Sequence, residues 1–327
     1  MEFWRGRLKR VKLVVDQAAD LQQKWGRKVD PRTQSPTGEF NFVAMLSLVG
    51  QYNIGGKSWL QQFFWGFPIA GGLGQSGVYS ADPKDTKAPD PPEIWTDTVT
   101  RCRTRAKASG WPHGDHMWNE SMGQVEKGRL STPPLPLTPM GNALSRLLAP
   151  STFRSDLRMG QMGKLRACDG IKYGAANLYC SVWKPTKLPT WGHIAQLAAS
   201  SRQTKCDWSF FKTAHEGAYK QLPLSPEDRL FSAVSLRRPK TRDWMAFAPR
   251  TLLFGAAALR YNCFSREAAA LFAKVAGILL LIYFGDFGSI VPSDVLGHAL
   301  QEFVTFCELL RLKLKPPKTK NSPALPF

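Results

Sequence analysis

The sequence predicts an α+β fold, and three observations carry this prediction. Residues 278–284 are continuously apolar, which indicates a buried strand, and a sharp turn at Gly285-Asp286 and a second strand follow it. Residues 265–278 and 294–312, on either side of this hairpin, have apolar side chains at helical spacing. Hydrophobic residues make up 43% of the chain and aromatic residues 11%, which is enough for a packed core.

Composition divides the chain into three parts. Residues 1–117 form a basic extension rich in Pro and Gly, which we expect to be irregular apart from a helix near the N-terminus. Residues 118–320 carry the strand and helix signals of a folded domain, including a strand expected at Ala218–Leu224. Residues 321–327 form a tail.

The charge balance favours a polyanionic partner. Lys and Arg number 44 against 25 Asp and Glu, which gives a net charge of +19 and a pI near 9.9. Nucleic acid suits such a chain better than a membrane surface does. The alternative is a basic, solvated surface without a specific partner.

Cysteine usage and apolar patterning indicate an intracellular protein, in the nucleus or the cytoplasm. The six cysteines are scattered and never form a Cys-x-x-Cys pair, so neither a zinc site nor a thioredoxin motif is indicated. Residues 1–10 are charged and lack the apolar core of a secretory signal. The most apolar stretch, residues 275–291, is interrupted by Asp286 and several glycines and is too short to span a bilayer.

Several short segments occur in an order that suits one kind of active site. Each segment alone is a weak signal, whereas the set in this order and at this spacing is a strong one. The segments are Gln-x-x-Lys-x-Arg at 161–166, Ala-Tyr-Lys-Gln-Leu-Pro at 218–223, Phe-Gly-Ala at 254–256, Tyr-Phe-Gly-Asp-Phe at 283–287 and Lys-Pro-Pro-Lys-Thr at 315–319.

In this order the segments resemble the basic fingers strand and motifs A, B, C and D of a retroelement reverse transcriptase, with features of the tyrosine-recombinase (DIRS-like) branch. The resemblance covers about residues 118–320. It implies a polymerase right hand with fingers and an antiparallel palm sheet but no complete thumb. The implied activity is RNA-directed DNA polymerisation, with an RNA template, a DNA primer, dNTP and Mg²⁺, no membrane, and other retroelement-encoded domains as further partners.

The family's chemistry gives each segment a role. Polymerisation is an in-line attack on an α-phosphate, in which two Mg²⁺ ions held by carboxylates clamp the attacking and leaving oxygens. By resemblance, Lys164 and Arg166 would contact the triphosphate, and Lys318 the leaving pyrophosphate. Tyr219 would pack below the sugar, and Phe254-Gly255 would let the backbone approach template and nucleotide. The structural alternatives are surface charge for the basic residues, a core tyrosine and a plain turn.

This chain departs from the family at the metal-binding carboxylates. Ala214 stands where motif A should have its Asp, and Gly285 stands where motif C should have its first Asp. Asp286 is left as the remnant metal ligand; in another register it is itself the first position of motif C, followed by Phe287. Glu216 is a poor substitute for the motif A Asp, because it lies about 7 Å further along an extended strand.

We therefore expect a reverse-transcriptase-like copy whose polymerase chemistry is impaired or lost. One alternative is a palm that survives as a non-catalytic RNA- or DNA-binding module and uses its basic surface. The other is a structural or interaction protein without a nucleic-acid role.

Overall fold

A computed structural model describes the parts of the chain that carry the fold. Within these parts the fold is mixed α+β, as the sequence predicts. They are residues 2–26, 40–55, 60–69, 71–73, 114–131, 206–229, 234–253, 258–283 and 285–315, with short pieces and single positions between them.

The predicted helices at 265–278 and 294–312 are both present, and the first begins earlier than expected. None of the helices in the described part of the chain has the length and apolar character that crossing a membrane requires. In chain order the helices are α1 (Glu2–Gly26), α2 (Phe42–Gln51), α3 (Gln62–Trp65), α4 (Gly114–Glu126), α5 (Ala258–Ala276) and α6 (Leu296–Leu309).

The strands of the described residues are β1 (Gly71–Leu73), β2 (Leu135–Pro136), β3 (Ser151–Thr152), β4 (Cys180–Val182), β5 (Trp208–Ala214), β6 (Val234–Arg237), β7 (Trp244–Phe247), β8 (Leu281–Tyr283) and β9 (Asp286–Pro292). They form three sheets: β1 and β4 pair in parallel, and β2, β7, β6 and β3 form a second sheet in that order. The third sheet has the order β5-β9-β8 and is antiparallel throughout, so the predicted hairpin is confirmed as β8 and β9. The expectation of a buried first strand is wrong, because β8 lies at the sheet edge, where Leu281 and Ile282 are half-buried and Tyr283 is exposed.

The third sheet buries one face and exposes the other. Successive side chains of a strand point to opposite faces, so burial that alternates with period two marks a half-covered sheet. Along β5, Phe210 and Lys212 are exposed while the residues between and after them are buried. The buried set on β5, β9 and the residue after β5 is Phe211, Thr213, His215, Phe287, Ser289 and Val291.

The buried face packs on α5 and α6 through aromatic rings. The ring of Phe303 on α6 lies 5.4 Å from the ring of Phe287 and 6.5 Å from that of Phe211. On its other side it lies 5.1 Å from Phe272 of α5. Aromatic side chains bury large apolar areas and pair in tilted geometries such as these. This packing decides which face of the sheet is left uncovered.

The N-terminal region joins the same core, which differs from the irregular extension that composition predicts. Helix α1 contacts α2, α5 and α6. It buries Val11, Val14 and Ala18, whose spacing defines one helical face. The Asn41 N–H donates to the Leu310 carbonyl at 3.0 Å, which ties the start of α2 to the end of α6. Averaging the composition over the whole extension hides these short periodic stretches.

The strand expected at Ala218–Leu224 is wrong over its first half. Residues Ala218–Gln221 form a 3-10 helix, which follows Gly217 in the left-handed region at φ 63°. The Lys220 N–H donates to the Gly217 carbonyl at 2.6 Å and closes the turn. Leu224 then bridges to a neighbouring segment. The left-handed glycine ends the strand period, and apolar alternation alone does not reveal this.

Candidate functional site

Ala214 and Asp286 face each other on adjacent strands. They are direct Cα partners at the end of β5 and the start of β9, and Tyr283 of β8 pairs with Asp286 on its other side. Paired residues of antiparallel strands project to the same face of a sheet. The His215 N–H donates to the Gly285 carbonyl at 2.9 Å, which holds the hairpin turn against β5. The sheet thus brings together the positions that the sequence singles out in motifs A and C.

A lysine lies beside the remaining carboxylate. Nζ of Lys212 is 2.8 Å from Oδ2 of Asp286. Because Lys212 precedes Ala214 by two residues on β5, its side chain shares their face and reaches Asp286 on the diagonal. The two side chains are 57% and 40% exposed, and such a pair contributes at most about 1 kcal/mol to stability. Its chemical effect is to give Asp286 a cationic partner supplied by the protein.

The residues around Asp286 do not fit the two-metal site that the family resemblance implies. Two Mg²⁺ ions need several carboxylate oxygens, but Ala214 and Gly285 carry no side-chain oxygen. The ammonium of Lys212 adds positive charge where a metal would have to bind. Among the residues that the structure describes, no group of three or more His, Cys, Asp and Glu could hold a metal ion. No metal-dependent step follows from these residues.

Glu216 lies in the turn after β5 and interacts electrostatically with Arg129. Its N–H donates to the Lys313 carbonyl at 2.7 Å. Burial lowers the pKa of Arg129, and the negative charge of Glu216 opposes this lowering. The Arg129 guanidinium packs on the turn, with Nη2 3.4 Å from the point where a Cβ on Gly217 would stand. Glu216 is therefore the counter-charge of a half-buried arginine, which is a different role from that of a metal ligand.

A basic segment, residues 313–315, pairs with the end of β5 and the residues that follow it. The Lys315 N–H donates to the carbonyl of the last β5 residue at 2.8 Å, and Leu314 forms an antiparallel bridge with His215. Leu314 shares the side of the buried His215, so the exposed Lys313 and Lys315 project to the opposite side. That side is the one that carries Lys212.

Gln221 holds this basic segment in place. Its buried side-chain amide donates to the Glu216 carbonyl at 2.7 Å and to the Lys313 carbonyl at 3.2 Å. One residue thereby links the turn after β5 to the segment after α6. Gln221 belongs to the Ala-Tyr-Lys-Gln-Leu-Pro run, so part of that sequence signal serves to fix the end of β5.

We call the side of the third sheet that the described residues leave exposed the open face. On it, Phe210 is 47% and Tyr283 58% exposed. The exposed Lys212, Lys313 and Lys315 stand on this face or at its edge, together with the carboxylates of Asp286 and Glu216. The open face includes Phe210, Lys212, Ala214, Leu281, Tyr283, Asp286, Gly288 and Ile290, with Lys313 and Lys315 at the end of β5.

The ring of Phe210 lies across Gly288. A Cβ on Gly288 would stand 2.6 Å from Cζ and 2.8 Å from Cε2 of Phe210, closer than real side chains approach. Gly288 is buried beneath this ring although its Cα belongs to the open face. The glycine therefore permits the ring to lie along the sheet, where it leaves an aromatic surface exposed.

Two other ring-bearing residues at this end belong to the core. Tyr219, which the resemblance places below a sugar, is 6% exposed, and burial raises the pKa of its phenol to about 12. His215 packs on Phe287 with ring centroids 4.6 Å apart. Burial lowers the pKa of His215 to about 3, so this imidazole is neutral at neutral pH.

The structure brings some of the predicted site residues together and reveals others. Ala214, Gly285 and Asp286 meet at one end of the third sheet. Sequence reasoning missed Phe210 and Lys212, although the period-two burial of β5 places them on the face of Ala214. The remaining predicted residues lie outside the described residues: Lys164, Arg166, Phe254, Gly255 and Lys318.

The chain was compared with known proteins in two ways. No protein-family model matches it, and no curated protein matches it. The function is therefore inferred from the resemblance of the motifs and from the geometry of the open face.

Proposed function

We propose that this chain is a reverse-transcriptase-like fingers–palm domain that binds nucleic acid on the open face and does not catalyse nucleotidyl transfer. The observation that carries the proposal is the register between Ala214 and Asp286. Two segments that are far apart in sequence, and that resemble motifs A and C, form adjacent strands with their key positions directly opposite. This pairing of the two segments supports the proposal.

The loss of catalysis is inferred from the residues at that register. The two-metal mechanism needs carboxylates on both strands, and only Asp286 offers one where Ala214 and Gly285 stand. Lys212 already neutralises Asp286. A dNTP carries a triphosphate whose charge the family neutralises with Mg²⁺, so turnover of dNTP is not expected of this face.

Binding is inferred from charge and shape. The chain carries a net charge of +19, and Lys212, Lys313 and Lys315 are exposed on or beside the open face. Lysines that contact phosphates release counterions from nucleic acid, which supplies most of the affinity in sequence-independent binding. An RNA template strand or a DNA primer strand, the ligands of the family, would both satisfy this chemistry.

A pair of assays tests the proposal. In primer extension on an RNA template with Mg²⁺ or Mn²⁺, we expect no dNTP incorporation by the full chain, because the carboxylates are missing. Measurable dNTP incorporation by the purified chain, and to the same extent by the catalytically unrelated control variant Lys240→Ala, would contradict the loss of chemistry. Binding of the same primer–template should weaken as salt rises; binding that does not respond to salt, or no binding, would favour an interaction protein instead.

A further inference from the structure

We infer that Phe210 is a stacking platform for an unpaired base, so that the open face takes single-stranded nucleic acid in preference to duplex. This inference rests on the proposed function and narrows its ligand. It goes beyond charge, because it assigns a specific contact to a ring that neither the motifs nor the missing carboxylates explain.

The first support is the way in which the ring is held. Phe210 is 47% exposed, yet the far edge of its ring lies over Gly288, in the space that a Cβ on that residue would occupy. An exposed phenylalanine on a strand could project freely into solvent, whereas this one lies along the sheet. Aromatic rings fixed on a sheet surface are a common means of binding bases, since every base has a flat π-face.

The second support is the lysine next to it on the same face. Lys212 follows Phe210 by two residues, which places it about 7 Å along the strand. Its ammonium has three N–H donors, and Asp286 accepts from it at 2.8 Å. The carboxylate thereby fixes the lysine while leaving donors for a phosphate oxygen. A base on Phe210 and the adjoining phosphate on Lys212 can thus be bound together.

The preference for a single strand follows from the stacking contact. Inside a duplex, neighbouring base pairs cover both faces of each base, so an internal base has no face for Phe210. Lysines contact the phosphates of either form. Stacking on the ring therefore adds affinity for single strands but not for duplex, whereas the lysines add affinity for both.

The test measures fluorescence anisotropy of labelled probes with the full chain in EDTA. The probes are an oligothymidylate of about 15 nucleotides, within the range that such surfaces occupy, an abasic strand of the same length and a blunt hairpin duplex. We expect Phe210→Ala to weaken oligothymidylate binding roughly 5- to 150-fold, the loss of one stacked base, and to leave abasic binding unchanged.

Two further variants separate stacking from structure. Phe210→Trp keeps a π-face and should retain binding, whereas Phe210→Leu still covers Gly288 and should lose as much as Phe210→Ala. Trp65→Ala is the matched control, because Trp65 on α3 is 63% exposed and lies outside the sheet. Circular dichroism of each variant verifies that the fold is retained.

The outcomes distinguish this inference from the proposed function. Equal loss on the thymidylate and abasic probes, or no loss on either, would overturn the stacking role while salt-dependent binding still supports a nucleic-acid interface. A wild-type chain that binds none of the three probes would overturn both.

Discussion

Nζ of Lys212 lies 2.8 Å from Oδ2 of Asp286, on the sheet face where Asp286 also stands opposite Ala214. The lysine is a cation that belongs to the chain, and it lies beside the carboxylate at which the motif resemblance would place a metal ion. An exposed ion pair is weak, at most about 1 kcal/mol, so Lys212 alone does not prevent metal binding. The main obstacle to a metal ion is the lack of carboxylates at Ala214 and Gly285, and Lys212 adds electrostatic repulsion.

Adding the two carboxylates and removing the lysine should therefore have separate effects on metal affinity. Ala214→Asp with Gly285→Asp should create measurable Mn²⁺ affinity, because it returns two carboxylates beside Asp286. Adding Lys212→Ala should raise that affinity a further 5- to 30-fold, roughly, since a nearby positive charge repels each unit charge of Mn²⁺ by about 1 kcal/mol in water. Isothermal titration calorimetry with Mn²⁺ checks both steps.

The control for that series is Lys240→Ala, which removes an exposed lysine from the turn between β6 and β7. In the double-Asp background it should leave Mn²⁺ affinity unchanged. An equal gain from Lys240→Ala and Lys212→Ala would mean that net charge, rather than the position of Lys212, governs metal affinity.

The register of β5 predicts a large loss of stability for one of two adjacent phenylalanines and a small loss for the other. Phe211 is 4% exposed and packs towards Phe303, so Phe211→Ala should lower the free energy of unfolding by about 3–5 kcal/mol. Phe210→Ala, on the exposed side, should cost about 1 kcal/mol or less. Urea denaturation measures both. The reverse order would indicate a one-residue slip of the strand, because such a slip exchanges the two faces.

Burial of His215 predicts acid sensitivity. Its pKa falls from 6.5 to about 3 in the folded chain. Between these two pH values the imidazole is protonated in the unfolded state and neutral in the folded state. The stability is complete above the unfolded pKa and falls by about 1.4 kcal/mol per pH unit below it. His215→Phe removes this slope and preserves the aromatic packing. Denaturation at about pH 7 and about pH 5 tests this; equal pH slopes for both proteins would refute it.

The two hydrogen bonds of Gln221 predict a local effect. Gln221→Ala removes the donors to the Glu216 and Lys313 carbonyls, of which the Lys313 carbonyl keeps the Glu216 N–H as a partner. The loss should cost about 1–2 kcal/mol, because both hydrogen bonds are only part-buried. The Lys315 N–H, bonded to the Ala214 carbonyl, should exchange with solvent faster. Hydrogen-exchange mass spectrometry over 312–315 reports this. Unchanged exchange there, with Gln301→Ala as an exposed control, would show that the segment is held by other contacts.

The elements whose apolar residues repeat with a simple period could be predicted from the sequence. Helices α5 and α6 and the hairpin of β8 and β9 follow from apolar spacing, and the turn at Gly285-Asp286 follows from its residues. Features that depend on one backbone angle or on a distant contact could not be predicted in this way. Gly217 at φ 63° turns an apparent strand into a 3-10 helix.

The same limit applies to the site. The absence of carboxylates at Ala214 and Gly285 can be read from the sequence, but the pairing of Lys212 with Asp286 requires the register between β5 and β9. The contact between Phe210 and Gly288 likewise joins residues on different strands. Propensity and periodicity are local, whereas these relationships are set by how the sheet packs on α5 and α6.

The central claim is that the open face binds nucleic acid through its own cations, without a metal ion. The most direct measurement is the affinity of the full chain for a labelled single strand in EDTA at several salt concentrations. If Lys212, Lys313 and Lys315 each contact a phosphate, log K should fall with log salt with a slope of about −2, and Lys212→Ala should make that slope shallower by about 0.7. A flat salt response, or binding that appears only when Mg²⁺ is added, would contradict the claim.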